Sequence, residues 1–84
     1  MFELLLSKTF ALELKKLEKK ERERIKKKLL ATTKNPWLYW QRLYGSKFFR
    51  ARVGKYRIIS QINPSKKIIF LVSVKRRKKV YKKI

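Results

Sequence analysis

Residues 48–62 read FFRARVGKYRIISQI, two strand-like runs joined at Gly54 and Lys55. A two-residue connection of this kind predicts a tight β-hairpin, because glycine readily adopts the positive φ that a primed turn requires. The turn also fixes the register of the two strands. The expected pairs are Val53 with Tyr56, Arg52 with Arg57, Ala51 with Ile58, and Arg50 with Ile59.

The predicted hairpin has an apolar face and an arginine-rich face, because successive side chains of a strand point to opposite sides. The apolar face, on the core side, receives Phe49, Ala51, Val53, Tyr56, Ile58, Ser60 and Ile62. The other face receives Phe48, Arg50, Arg52, Arg57, Ile59 and Gln61. Like charges directly opposite each other destabilise a strand pair, and lysines would suffice for a solvated basic face. The choice of arginine, whose planar fork binds phosphate through two hydrogen bonds, favours an anion site.

The charge distribution points to a polyanionic ligand. The 84 residues include 26 Lys or Arg and only 5 Asp or Glu, a net charge of +21. All five acids lie within residues 1–23, so residues 24–84 carry 20 basic residues and no acidic one. Such a surface attracts nucleic acid or an acidic protein, and less specifically an anionic membrane.

Composition places further bounds on the protein. A chain of 84 residues predicts one small domain, residues 1–84, with one modest core. The absence of cysteine and histidine excludes disulfides, thiolate chemistry, the usual zinc ligands and the usual proton shuttle at neutral pH. The opening FELLL is too short for a signal peptide or a membrane span, so we expect a cytoplasmic protein. High lysine content without cysteine also favours a thermophilic source.

The remaining elements are predicted from periodicity. Residues 2–6 read as a short strand, after which Ser7 can cap a helix carrying Phe10, Leu14 and Leu17 on one face. The segment EKKERER, residues 18–24, lacks apolar residues, and the stripe then resumes until Asn35-Pro36. This pattern allows one long helix with a solvated middle or a hairpin of two helices, and the small size favours the hairpin. The run IIFLV, residues 68–72, predicts a central strand covered on both faces.

Two segments allow two interpretations each. Six of the eleven aromatic residues lie within residues 37–49; they could form a base-stacking platform, but the need for core volume favours anchoring of the helices on the sheet. The tail KRRKKVYKKI, residues 75–84, fits either a short basic helix or an extended arm.

These segments together resemble the RelE family, within the RelE/ParE superfamily of toxins from type II toxin–antitoxin pairs. The resemblance runs through the helical segment IKKKLL, the RLYG stretch, RVGKYRII, and a last strand whose basic extension ends in VY. It implies an α+β fold, a small antiparallel sheet with an N-terminal helical hairpin packed on one face, in an archaeal or thermophilic member. The other face would be a concave cationic RNA site.

The resemblance also implies an activity and roles for particular residues. Members of the family are ribosome-dependent endoribonucleases, in which the ribose 2′-hydroxyl of mRNA attacks the adjacent phosphate without metal or cofactor. Arg57 would clamp that phosphate, Arg77 would stabilise charge or assist the leaving group, and Tyr81 would stack on a base or orient the nucleophile. Arg50 and Arg52 would hold backbone phosphates. Further RNA contacts are expected from Lys47, Lys55, Arg76, Lys78 and Lys79, and Arg76 could replace Arg77 after a small shift in alignment.

The resemblance leaves the proton acceptor open. Some relatives place lysine where this chain has Arg50 and Arg52, and arginine does not lose its proton in proteins. A conventional general base is therefore missing. Tyr81, an RNA phosphate oxygen or a ribosomal group could accept the proton, or catalysis could rest on electrostatics and orientation.

Two alternative functions fit the same scaffold. A sister group poisons DNA gyrase, although its members generally lack the assembled arginine and tyrosine set. A non-catalytic basic RNA-binding or ribosome-binding protein is the other alternative. The expected partners are the ribosome, mRNA and a RelB-like acidic antitoxin, which would supply the acids that residues 24–84 lack and form a hetero-oligomer with this chain. We expect no membrane partner.

Overall fold

The computed structural model describes residues 1–77, which form eight elements around one sheet. These are β1 (Glu3–Leu6), α1 (Lys8–Lys15), α2 (Lys19–Thr32), α3 (Pro36–Tyr39), β2 (Gln41–Arg42), β3 (Phe48–Val53), β4 (Tyr56–Asn63) and β5 (Ile68–Arg76). The strands are ordered β1-β5-β4-β3-β2 across the sheet. The predicted α+β architecture is confirmed.

The sheet is antiparallel, as predicted, except at one edge. β1 pairs in parallel with β5, with Glu3 opposite Ile68 and Leu6 opposite Leu71. The other neighbouring strands, from β2 to β5, pair antiparallel. Three helices and three strands separate β1 from β5 along the chain, and a connection of this length can return a strand beside its partner in the same direction.

The helical segment consists of two successive helices, as predicted. The Ser7 hydroxyl accepts a hydrogen bond of 2.9 Å from the Phe10 N–H and caps α1. The backbone leaves helical geometry between Lys15 and Lys19, so the solvated segment 18–24 is the beginning of α2. Pro36 then starts the short α3, where its missing N–H has no cost. None of the helices within residues 1–77 is long and apolar enough to cross a membrane.

One buried cluster joins the helices to the sheet. Its members are Phe10, Leu14, Ile25, Leu29, Trp40, Ala51, Val53, Ile58, Ile69, Leu71 and Val74. Full burial of a side chain such as Phe10 or Ile58 contributes roughly 1.5–3 kcal/mol. Trp40 is buried, and the Trp37 ring lies 5.9 Å from that of Phe49. These contacts agree with aromatic residues that anchor helices to the sheet.

β5 is an interior strand that is covered on one face only. Ile69 and Leu71 are buried, but Phe70 is 36% exposed and Val72 is half-buried. The prediction that residues 68–72 are covered on both faces is therefore wrong. The helices supply the core on one side, which leaves the apolar residues of the other side on an open face.

A β-bulge interrupts β5 at Val72. Ser60 of β4 lies opposite Leu71, whereas the preceding Ile59 lies opposite Ser73, so Val72 is the extra residue. Ser7 contacts this point of the strand, because its N–H donates to the Leu71 carbonyl at 2.9 Å and its hydroxyl donates to the Val72 carbonyl at 2.8 Å. The cap of α1 and the bulge of β5 therefore share one serine.

Candidate nucleic-acid interface

The hairpin of β3 and β4 has the predicted register. All four expected pairs are present, including Arg52 opposite Arg57. Gly54 has a φ of 58°, whereas Lys55 does not have a positive φ, the pattern of a type II′ turn. Ala51 and Ile58 are buried while Arg52 and Arg57 are exposed, so the alternation of faces is confirmed.

Arg77 shares this open face because of the bulge. Ile69 and Leu71 face the core, and strict alternation along β5 would turn every odd-numbered residue, including Arg77, toward the core. After the extra Val72, Ser73 lies opposite Ile59 and Lys75 lies opposite Arg57, which shifts the odd positions to the open face. The Arg77 N–H donates to the Lys55 carbonyl at 2.7 Å and extends the pairing to the hairpin turn. Arg50, Arg52, Arg57 and Arg77 form what we call the arginine cluster.

The positive charges of the other three members of the arginine cluster all act on Arg52. Its pKa is lowered from the usual value, first by the charge of Arg50, then by that of Arg77, by partial loss of solvent and by the charge of Arg57. An anion placed among these groups would relieve their mutual repulsion, so the cluster favours anion binding before any ligand arrives. Arginine nevertheless keeps its proton in proteins, and the cluster itself provides no general base.

The described acids leave the arginine cluster unneutralised. The ion pairs within residues 1–77 join Glu13 to Lys75, at 2.8 Å, and Glu21 to Arg24, at 3.9 Å. One polar contact orients Arg50, since its Nη2 donates to Gln41 Oε1 at 3.1 Å. The two-residue strand β2 places this glutamine opposite Arg50, and no sequence pattern indicated a strand of that length.

Glu13 is a second structural contributor that the sequence did not indicate. Its Oε1 accepts from the Val74 N–H at 3.0 Å, and its Oε2 accepts from Lys75 Nζ at 2.8 Å. This carboxylate therefore connects α1 to β5 just after the bulge. Its two partners, Val74 and Lys75, precede Arg77 by three and two residues. It therefore helps to hold the strand end that carries Arg77.

The other predicted RNA-contacting residues occupy different positions. Lys47 and Lys55 are exposed next to β3. Arg76 lies opposite Tyr56, on the side of the sheet away from the arginine cluster, which separates it from Arg77. The predicted contacts of Lys78, Lys79 and Tyr81 lie outside the described residues. Within residues 1–77 no group of three acidic, histidine or cysteine side chains is placed to hold a metal ion.

Comparison with known proteins identifies relatives of this fold. A family model described as the ParE toxin of the type II toxin–antitoxin system parDE matches residues 4–81. No curated protein sequence matches the chain significantly.

Solved toxin structures are similar over most of the chain. The RelBE2 toxin–antitoxin complex of Mycobacterium tuberculosis matches with a TM-score of 0.82 and 19% identity, over 90% of this chain and 98% of the other. The archaeal RelE–RelB complex of Pyrococcus horikoshii matches with a TM-score of 0.81 and 23% identity, over 94% of this chain and 98% of the other. The RelB–RelE complex of Methanococcus jannaschii matches with a TM-score of 0.69 and 27% identity, over 86% of this chain and 88% of the other. With the family model spanning nearly the whole sequence, the chain belongs to the ParE toxin family of type II toxin–antitoxin systems, in the RelE/ParE superfamily.

Proposed function

We propose that this toxin is a ribosome-dependent endoribonuclease that cleaves mRNA and thereby inhibits translation. The observation that carries the proposal is the arginine cluster, four guanidinium groups on one open face of the sheet. A guanidinium binds phosphate through paired hydrogen bonds, and four of them fit a ribose-phosphate backbone better than a neutral ligand. The likeness to RelE structures supports the same assignment.

The proposed reaction breaks the RNA backbone by internal transfer. The 2′-oxygen attacks the adjacent phosphorus, the bond from phosphorus to the 5′-oxygen breaks, and the products end in a 2′,3′-cyclic phosphate and a 5′-hydroxyl. Arg57 would bind the scissile phosphate and stabilise the extra charge of the phosphorane. Arg77 would stabilise the departing 5′-oxygen. Arg50 and Arg52 would hold neighbouring phosphates and keep the attacking and leaving oxygens in line.

One proton must reach the departing 5′-oxygen, delivered by water or by the protonated acceptor, and the proton of the 2′-hydroxyl must leave during the attack. The arginine cluster cannot accept it. The acceptor would be an RNA phosphate oxygen, a ribosomal group or, within the chain, Tyr81. Dependence on the ribosome follows from this deficit, because the ribosome would supply the proton acceptor that the arginines lack.

The family description favours a second candidate function. The matching model is that of the ParE toxin, and a toxin on this scaffold that poisons DNA gyrase would leave mRNA intact. The arginine cluster is the feature that favours the nuclease, since a gyrase poison needs no group at a scissile phosphate. The two functions therefore predict different products, and one experiment separates them.

An antitoxin partner follows from the family. We infer that it is acidic and RelB-like, because residues 24–84 carry 20 basic residues and no acid and the similar structures include complexes with RelB. Its negative charges would cover the arginine cluster and block access of RNA. The setting of this reaction is the cytoplasm, where ribosomes and mRNA are found.

The deciding experiment is translation of a defined mRNA in a purified system, with and without the toxin, followed by mapping of the mRNA 5′ ends. We expect cuts confined to codons within the ribosome, and no cuts when ribosomes are omitted. Supercoiling by gyrase is measured in parallel with the same toxin preparation. Intact mRNA together with inhibited gyrase would overturn the proposal in favour of the second candidate.

Replacement of Arg57 tests the role of the arginine cluster. Arg57→Ala removes an exposed side chain, so the fold should persist while mRNA cleavage falls by about 100-fold or more, the usual loss for a missing transition-state contact. Sedimentation with ribosomes should be retained. Lys26→Ala, at an exposed position of α2, is the matched control and should cleave like the parent. If excess Arg57→Ala protein restores full cleavage, Arg57 serves binding alone.

A further inference from the structure

The edge of the sheet next to the arginine cluster is partly uncovered. Val53 pairs with Tyr56 across the turn, so the N–H and C=O of Arg52 point away from β4. On that side β2 ends at the pair of Gln41 with Arg50. No described strand therefore pairs with the backbone of Arg52, and its N–H is directed outward at the edge of β3.

A cationic groove lies between this edge and α2. It consists of two adjoining depressions of about 360 Å³ and 430 Å³, which share Lys28 and Arg52 as lining residues. We call it the edge groove. Its basic residues are Arg24, Lys27 and Lys28 from α2 with Arg50 and Arg52 from β3. Because Arg50 and Arg52 belong to both, the edge groove is continuous with the arginine cluster.

Local contacts place the α2 cations at the groove. The Arg24 guanidinium lies over the hairpin turn, where a Cβ on Gly54 would come within 3.0 Å of its Nη1. Lys28 Nζ lies 5.0 Å from the centre of the Tyr39 ring, a cation–π distance. Glu21 approaches Arg24 only to 3.9 Å. The groove therefore presents an excess of positive charge at the uncovered backbone of Arg52.

We propose that the edge groove binds the backbone of single-stranded RNA next to the scissile phosphate, so that one RNA strand runs from the arginine cluster around the edge of β3 onto α2. The inference rests on the proposed function, since it extends the same RNA site. Phosphate oxygens would accept from the α2 cations and from the outward N–H of Arg52, contacts that position a strand without reading its sequence. Arg24 and Lys28 thus become RNA-positioning residues.

The lining of the groove favours RNA over an acidic peptide. An amphipathic peptide needs apolar pockets for its anchor residues, and Leu38 is the one large exposed apolar side chain among the described lining residues. Leu30 is exposed beside Leu38 in an adjoining depression on α2, whereas the exposed Leu5, Leu6 and Leu12 lie on β1 and α1, and β1 is the opposite edge of the sheet. A protein partner has better anchors there than in the edge groove.

The test compares two variants that each lose two positive charges from α2. Arg24→Gln/Lys28→Gln alters the groove. Lys19→Gln/Lys26→Gln alters exposed positions on the opposite side of the helix, roughly 140–180° away, given 3.6 residues per turn. The probe is a fluorescein-labelled 12-nucleotide RNA with 2′-O-methyl groups, which cannot be cleaved by 2′-hydroxyl attack. Affinity is measured as a function of NaCl concentration for the parent and both variants.

The groove variant should show a shallower dependence of log Kobs on log[NaCl], by about 1.4, because each lost phosphate contact on a single strand accounts for roughly 0.7. The control variant should keep the parent slope. The charge-preserving variant Arg24→Lys/Lys28→Arg should also keep it, which shows that lost charge and not a disturbed fold causes the change. Equal slopes in the groove and control variants would overturn the proposal.

Binding of a polyglutamate peptide tests the alternative that the groove receives an acidic protein and not RNA. If Arg24→Gln/Lys28→Gln binds RNA like the parent but loses affinity for polyglutamate, the groove receives acidic protein and the proposal is wrong. The result is independent of cleavage, which is assayed separately by translation. A parent toxin that leaves mRNA intact but shows the groove-dependent slope would overturn the proposed nuclease function while retaining the RNA-binding groove.

Discussion

Ser60 places a hydroxyl in the interior of the molecule. The residue is fully buried on the core face of β4, opposite Leu71 at the bulge. Its Oγ has no hydrogen-bond partner among the described residues. A hydroxyl that loses water without gaining a partner costs about 1–3 kcal/mol, so Ser60 reduces the stability of the toxin.

Removal of this hydroxyl should stabilise the protein. Ser60→Ala keeps the small volume of the side chain and abolishes the unpaired polar group, so we expect the free energy of unfolding to rise by about 1 kcal/mol. Urea denaturation followed by circular dichroism at pH 7 measures the change. Ser73→Ala, on the open face at the same bulge, should change stability by less than about 0.5 kcal/mol. A loss of stability in Ser60→Ala would mean that the hydroxyl is hydrogen-bonded.

At the scale of the elements, Glu13 fastens α1 to β5. Burial opposes the ionisation of this carboxyl, but the hydrogen bonds from Lys75 and Val74 and the charges of Lys75 and Lys16 outweigh burial. The pKa of Glu13 is therefore held below its usual value of 4.5. A group whose pKa is lower in the folded state stabilises the fold fully above its unfolded pKa, and this contribution disappears as the pH falls through the folded pKa.

Glu13→Gln should therefore destabilise the toxin in a pH-dependent manner. At pH 7 we expect a loss of about 1 kcal/mol, because the charge-assisted hydrogen bonds are weakened. Below the folded pKa the parent carboxyl is itself protonated, so the difference between variant and parent should shrink. Urea denaturation at pH 7 and pH 3 measures both values. Glu23→Gln, at an exposed position of α2, is the control, and an equal loss for Glu13→Gln at both pH values would contradict the assignment.

The same elements show why the sequence predicts some parts of this fold better than others. The register of β3 and β4 was predictable because a two-residue turn links partners that are close in the chain. The parallel pairing of β1 with β5 joins distant segments, and the short strand β2 has no periodicity of its own. The bulge at Val72 reverses the alternation within an apolar run, where nothing in the residue pattern marks it. Arg77 was placed by family resemblance, and the bulge gives the physical reason why it reaches the arginine cluster.

At the scale of the whole molecule, the toxin carries a net charge of +21 that opposes its own folding. The charges of Arg50, Arg77 and Arg57 all lower the pKa of Arg52, so we expect the repulsion to be strongest in the arginine cluster. Salt screens such repulsion, since the Debye length falls from about 30 Å at 0.01 M to about 8 Å at 0.15 M. The free toxin should therefore be less stable at low ionic strength, and an acidic antitoxin would supply the missing negative charge within the complex.

Raising NaCl from 0.01 M to 0.15 M should increase the stability of the free toxin by about 1 kcal/mol, which corresponds to a rise in Tm of about 4–8 °C for a domain of this size. Thermal unfolding followed by circular dichroism measures it. Arg50→Gln/Arg52→Gln removes two charges from the arginine cluster and should have a higher Tm than the parent at 0.01 M and a smaller rise with salt. Lys19→Gln/Lys26→Gln removes the same charge from exposed positions of α2, where Glu23 lies within about one helical turn of both lysines, and should retain most of the rise. Equal salt responses of the two variants would show that the repulsion is spread over the whole surface and does not reside in the cluster that we assign to phosphate binding.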